Sequence, residues 1–539
     1  MIDYTISFSS RRSNISGRHG AVATSQPLAA QAGLAVLRAG GNAIDAAVAT
    51  AAALCVVEPG MTGLGADAFA LIWSAADQKL YGLNASGPAP AALTADHVRT
   101  LGHTSYPRHG GLAVTVPGAP AGWATALDRF GTLPLPQLLA SAIDYAENGF
   151  PVSECFAADW AGGVALLGRQ AESRRIWLRD NGQRAPRTGE LFRNPDLAAT
   201  LKTLAAEGTT AFYHGAIAQQ ICKTVGADGG LLTTTDLAGY QPEWVEPLAI
   251  SYRPGVTFHE IPPNGQGLTA LLAQNIVKGH DLAALGHGSY EYTHLLMEAI
   301  KLAFADAATY IADPRQAEIP LAGLLSDSYT AARRRLISSH SALIPTPGQP
   351  QQHEDTVYLT VADEAGNMVS WIQSLCGLFG SGLTAEGTGV LLQNRASNFS
   401  LEPGHRNEAA GGKRPYHTII PGFICRDGQP WASFGVMGGF MQPQGHLQVG
   451  SNLVDFNMSP QAALDAPRFR WQQGKLFALE ESVRPGDVRE MRRRGHEIMS
   501  PIAARDMHYG GGQVILRDLE SGVYVAGSEK RNDGVAVAF

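Results

Sequence analysis

The stretch Asn42-Ala-Ile-Asp-Ala-Ala-Val-Ala-Thr-Ala-Ala-Ala-Leu-Cys-Val-Val57 constrains the fold more than any other part of the chain. It predicts a helix over 43–56 with Asn42 as N-cap, and small apolar residues occupy nearly every face of it. Such a helix has no polar side to offer water, so it must be packed between other elements. An internal helical layer follows. The preceding stretch, 25–39, predicts a second helix with Ser25 as N-cap, Pro27 in the first turn and Gly40-Gly41 as the stop. The nearest approach to a membrane span, 46–57, is too short to cross a bilayer.

With 539 residues, 17% charged residues and 61 glycines, the chain can bury a large core. At roughly 150 residues per domain, its length alone sets three or four domains as a starting bound. The net charge of −7 and the lack of a basic block exclude nucleic acid and an anionic membrane surface as partners. The five cysteines are dispersed without a CxxC pair, and the first residues lack a basic segment followed by an apolar one. A cytoplasmic protein without a disulfide framework is expected. The 16 histidines show no metal-ligand spacing, and no metal or cofactor is expected.

Several familiar chemistries drop out. There is no Gly-x-Ser-x-Gly, no His-Glu-x-x-His and no phosphate-binding Gly-x-x-x-x-Gly-Lys-Ser/Thr. Gly63-Leu-Gly65-Ala-Asp-Ala68 is a poor dinucleotide fingerprint, because it precedes the strand read over 69–73 instead of following one. The arginine run 492–494 before Gly495 reads as the solvated end of a helix. Apolar spacing over 292–306 predicts an amphipathic helix. The Pro/Gln-rich stretch 345–354 reads as an exposed linker, and 356–362 with 368–374 around the turn residues Asp363-Glu-Ala-Gly-Asn367 reads as a β-hairpin.

A threonine therefore stands where a linker meets a strand, which alone is a bland signal. The wider sequence supplies more. Ala23-Thr-Ser-Gln-Pro-Leu-Ala-Ala-Gln-Ala-Gly33, Gly40-Gly-Asn-Ala-Ile-Asp-Ala-Ala-Val48, Val57-Glu-Pro-Gly-Met-Thr-Gly-Leu-Gly65 and Val116-Pro-Gly-Ala-Pro-Ala-Gly122 occur in order, followed by the Asp355-Thr356 hairpin, Gly412-Lys-Arg-Pro415, Gly438-Gly439 and Asp465-Ala-Pro-Arg-Phe469. Over nearly its whole length the chain resembles the gamma-glutamyltranspeptidase family of N-terminal-nucleophile hydrolases.

The resemblance implies an α+β fold, a four-layer αββα sandwich, in a precursor that cuts itself between Asp355 and Thr356. Residues 1–355 and 356–539 would then form a large and a small subunit of one intertwined fold, with a homo-oligomer of that heterodimer left open. Thr356 would be the nucleophile and its new α-amine, with an intrinsic pKa of about 7.7–8.0, the general base. Ser374 matches the hydroxyl residue that orients the nucleophile, and Gly438 and Gly439 match the oxyanion glycines.

Departures from the family pattern bear on the substrate. The arginine that holds a glutamyl α-carboxylate is replaced by Ser86, the acid that takes its α-amine by Asn398, and the serine pair after Lys-Arg-Pro by His417-Thr418. Each lost charge-assisted bond costs about 1.5–3 kcal/mol, which disfavours gamma-glutamyl transfer. Arg395 adds a cation that reads equally as a carboxylate ligand or as a structural ion-pair partner. The short 401–411 loop favours water as acceptor. The resemblance points to a small amide bearing a carboxylate, with oxamate, cleaved to oxalate and ammonia, as the leading substrate. A gamma-glutamyl hydrolase, a glutaryl- or cephalosporin-type acylase, and an unprocessed ligand-binding relative are the alternatives.

Overall fold

A computed structural model describes residues 12–338, 340, 355–499 and 507–539. Side chains alternate along a strand, and the strand Asp355–Asp363 shows what this does for the layers. Val357, Leu359 and Val361 join a core shared with helices, whereas Tyr358 and Ala362 join a second core lying between two sheets. One sheet has seven strands in the order Val535–Ala538, Gly20–Thr24, Asp355–Asp363, Met368–Cys376, Asp67–Ser74, Lys79–Ala85 and Glu243–Val245. The other seven-stranded sheet runs Ile15–Gly17, Tyr524–Ser528, Gly511–Arg517, Gln429–Met437, Gly422–Arg426, Val256–Glu260 and Leu248–Arg253. Neighbouring strands within both are antiparallel.

Helices Pro27–Arg38 and Ala43–Val57 cover the outer face of the first sheet, and Gly267–Val277, Tyr290–Tyr310 and Met441–Val454 cover that of the second. This is the expected αββα order. Every residue of Ala43–Val57 is buried, as its sequence requires. Its start is closed by a reciprocal cap: Asn42 accepts from the Ile44 and Asp45 N–H groups at 2.9 and 3.0 Å, and Asp45 accepts from the Asn42 N–H at 3.0 Å.

Two local expectations change. The first helix is capped by Gln26, whose side chain accepts from the Leu28 and Ala29 N–H groups, and not by Ser25. The reason is that the Ser25 hydroxyl is committed to the Glu58 carboxyl. The helix Tyr290–Tyr310 has no solvated face over 292–307. Its polar residues are instead paired inside the protein: Lys301 with Glu298 at 2.5 Å, His294 with His496 at 2.7 Å, and Asp306 with Tyr329 and Arg333 at 2.8 and 2.7 Å.

The hairpin forms as read, with Asp355–Asp363 against Met368–Cys376. The linker 345–354 lies outside the described residues. Both large sheets mix strands from before and after position 356, so a cut there would leave two chains interleaved in each sheet. Among the described residues, no helix is long and apolar enough to cross a membrane.

Candidate active site

Thr356 stands near the start of its strand, and its side chain is 0% exposed. Asp355 is opposite Cys376 and Val357 opposite Gln373, so Thr356 alone faces both Ser374 and Leu375. This bulge breaks the regular pairing where the two hydroxyls meet. The Thr356 hydroxyl donates to Ser374 Oγ at 3.2 Å, and the Cys376 N–H donates to the same oxygen at 2.8 Å. Cys376 carries a left-handed backbone, φ +81°, unusual for a residue with a side chain.

The neighbouring strand adds a residue that sequence reasoning missed. Asp67 heads Asp67–Ser74 and lies in register with Ser374. One of its oxygens accepts the Gly87 N–H at 3.0 Å, and the other accepts from His417 Nε2 at 3.1 Å, with Arg395 Nε 3.8 Å away. Burial pushes the Asp67 carboxyl up to about 7, against the opposing pull of Arg395 and the Gly87 N–H. Burial, together with the charges of Arg395 and Arg414, holds His417 well below its ordinary range. Both effects favour the neutral ring. Its Nδ1 accepts from the Ile419 N–H at 3.4 Å, which leaves the ring proton on Nε2 facing Asp67.

Arg395 is fully buried and donates from Nη1 to Thr418 Oγ1 at 2.7 Å. It sits between Asp67 and Thr418, the arrangement of a structural ion pair. Gln266 then ties this group to the glycines: its amide donates to the carbonyls of Thr418 and Gly439, the latter at 2.9 Å. Gly438 and Gly439 have φ of +123° and +59°, and the first value is open in practice only to glycine. Their carbonyls accept from the Met441 and Gln442 N–H groups at 3.0 and 3.1 Å. Among the described residues, no acceptor takes the N–H of either glycine.

Asn398 is half-buried and donates to the Tyr416 carbonyl at 3.2 Å, beside His417. Ser86 is buried and donates to Asn84 at 2.7 Å, and its carbonyl accepts from Arg414 Nε at 2.9 Å. Arg414 is itself matched by Glu243 at 2.7 Å. The structure thus brings Thr356, Ser374, Arg395, His417, Thr418 and the two glycines into one connected group, with Asn398 and Ser86 at its margin. Asp67 and Gln266 complete it. The one sequence signal for Asp67 was a lone acid inside the otherwise apolar Gly65-Ala-Asp-Ala-Phe-Ala-Leu-Ile-Trp73.

Stacked antiparallel sheets between helices, with a buried threonine near the start of a central strand, are the architecture of an N-terminal-nucleophile amidohydrolase. The gamma-glutamyltranspeptidase profile matches residues 29–539, and the chain belongs to that family. It is 37% identical over 518 residues to the glutathione hydrolase-like YwrD proenzyme of Bacillus subtilis, covering 95% of this chain and 97% of that protein. It is 34% identical over 542 residues to the oxamate amidohydrolase proenzyme of Klebsiella pneumoniae, covering 98% of this chain and 99% of that one. Among solved structures, the cephalosporin acylase from Bacillus halodurans superposes with a TM-score of 0.93 at 47% identity, covering 100% of this chain and 99% of that one. The protein is a self-processing amidohydrolase of this family.

Proposed function

We propose that the chain is cut between Asp355 and Thr356 and that the matured enzyme is an acylase, hydrolysing amides whose acyl group carries a carboxylate and lacks an α-ammonium. The observation that carries the nucleophile assignment is the buried contact of the Thr356 hydroxyl with Ser374 Oγ at 3.2 Å. Before the cut, the nitrogen of Thr356 is an amide and cannot accept a proton. Afterwards it is an amine that titrates near neutrality and can take the hydroxyl proton. Thr356 Oγ1 then attacks the amide carbon, and the oxyanion that forms is held by the N–H groups of Gly438 and Gly439. The amine returns its proton to the leaving nitrogen, the C–N bond breaks, and an ester to Thr356 remains. Water, deprotonated by the same amine, releases the acid.

The acyl preference rests on Ser86 and Asn398, which leave a glutamyl head group without charged partners, and on the 47% identity to a cephalosporin acylase. Oxamate is the second reading, favoured by the 34% identity to an oxamate amidohydrolase over nearly the whole chain. Product release from glutaryl-p-nitroanilide, a cephalosporin amide, oxamate, glutamine and glutathione tests the proposal. Glutaryl or cephalosporin turnover at least about tenfold above that of the gamma-glutamyl compounds is expected, from the cost of about 1.5–3 kcal/mol per lost charged bond. A preference for glutathione or glutamine would overturn it.

A further inference from the structure

Besides Arg395, the loop 106–111 brings a second cation, Arg108, to the nucleophile hairpin. The Asn394 side chain joins the two segments: its oxygen accepts the Gly377 N–H at 2.8 Å, and its nitrogen donates to the Arg108 carbonyl at 2.8 Å. Gly377 directly follows Cys376, the residue paired with Asp355. The Arg108 guanidinium lies against the hairpin, with Nη2 3.7 Å from where a Cβ on Gly377 would stand. The next residue, His109, is fixed by a 3.1 Å contact between Nδ1 and the Gly380 carbonyl, and the charges of Arg108 and Arg169 both bear on it. Arg108 is half-buried and Gly377 is buried.

We propose that Arg108 binds the carboxylate at the far end of the substrate's acyl chain. This rests on the acylase reading above and narrows it to ω-carboxyacyl amides. Thr356 and Gly377 lie about two residues apart along the ladder and on opposite strands, a Cα separation of roughly 8 Å. The carboxylate of oxamate is one bond, about 1.5 Å, from the carbonyl under attack, too near to reach a cation over Gly377. A glutaryl carboxylate stands four bonds away and suits that position. Arginine's planar fork fits a bidentate carboxylate.

The test compares matured wild type, Arg108→Gln and Arg108→Lys on glutaryl-p-nitroanilide and on valeryl-p-nitroanilide, which has the same chain length but no carboxylate. Loss of a charge-assisted pair predicts that the glutaryl-to-valeryl ratio of kcat/KM falls about tenfold or more in Arg108→Gln, chiefly through the glutaryl KM. Arg108→Lys should keep part of the ratio. A ratio within twofold of wild type in both variants overturns the Arg108 assignment while leaving the acylase reading standing. Wild type that hydrolyses neither anilide overturns both. If Arg108→Gln fails to mature, Arg108→Lys decides, because a KM rise confined to the glutaryl substrate supports the assignment and an equal rise on both refutes it.

Discussion

Replacing Ser374 with alanine separates two roles that a hydroxyl beside a nucleophile can play. Ser374 Oγ receives the Thr356 hydroxyl at 3.2 Å and the Cys376 N–H at 2.8 Å. If Ser374 only orients Thr356, the variant loses one neutral hydrogen bond worth about 0.5–1.5 kcal/mol. At 3.2 Å the contact is longer than the usual O–H···O range, which favours the lower part of that figure. At about 1.4 kcal/mol per factor of ten, kcat should fall about two- to fivefold. The Cys376 N–H, buried beside the new alanine, loses that acceptor, so the thermal midpoint should fall as well. The assay is steady-state kcat on a chromogenic amide, with the processed fraction measured on the same preparation so that incomplete maturation is not read as slow chemistry. Removal of a general base typically costs about 10²- to 10⁴-fold. A fall of that size in fully processed enzyme would refute the assignment of proton transfer to the α-amine, and an unchanged kcat would refute the orienting role.

Two further variants probe the rest of the site and its support. Gly438→Ala places a Cβ 3.1 Å from the Cα of Gly510 at a φ of +123°, so the backbone must turn and carry its N–H away. Steady-state kcat of the processed variant should fall about 10²-fold or more, and a loss below tenfold would mean that this N–H does not hold the oxyanion. Burial holds Glu58 up at about 8, so between its unfolded value near 4.5 and pH 8 the native state keeps a proton that the unfolded chain has lost, and stability falls as pH rises through that window. Glu58→Gln removes this dependence. Its thermal midpoint relative to wild type should rise from pH 5 to pH 8 and level off above, and a pH-independent difference would contradict the assignment.

The parts of this protein that were legible in sequence are those fixed by local chemistry. The all-apolar helix after Asn42 could only be internal, and the hairpin after position 355 carries β-branched strands around Asp363-Glu-Ala-Gly-Asn367. Ser25 misled because serine is a good cap in isolation, whereas its hydroxyl is committed to Glu58, 33 positions away. Helix Tyr290–Tyr310 carries an ordinary amphipathic pattern, and only the tertiary structure reveals that its polar side is roofed by buried pairs. The partner of Arg395 was invisible for the same reason. Asp67 lies 328 positions earlier and meets it only because Asp67–Ser74 pairs with Met368–Cys376 in the register that sets Asp67 beside Ser374.

The central claim is that Thr356 becomes a chain terminus and that this creates the enzyme. Intact mass spectrometry of purified protein, with activity measured on the same sample, addresses it directly. Wild type should resolve into two polypeptides, the smaller beginning at Thr356, and Thr356→Ala should remain one inactive chain. A wild-type preparation that hydrolyses amides while residues 355 and 356 remain joined would contradict the account.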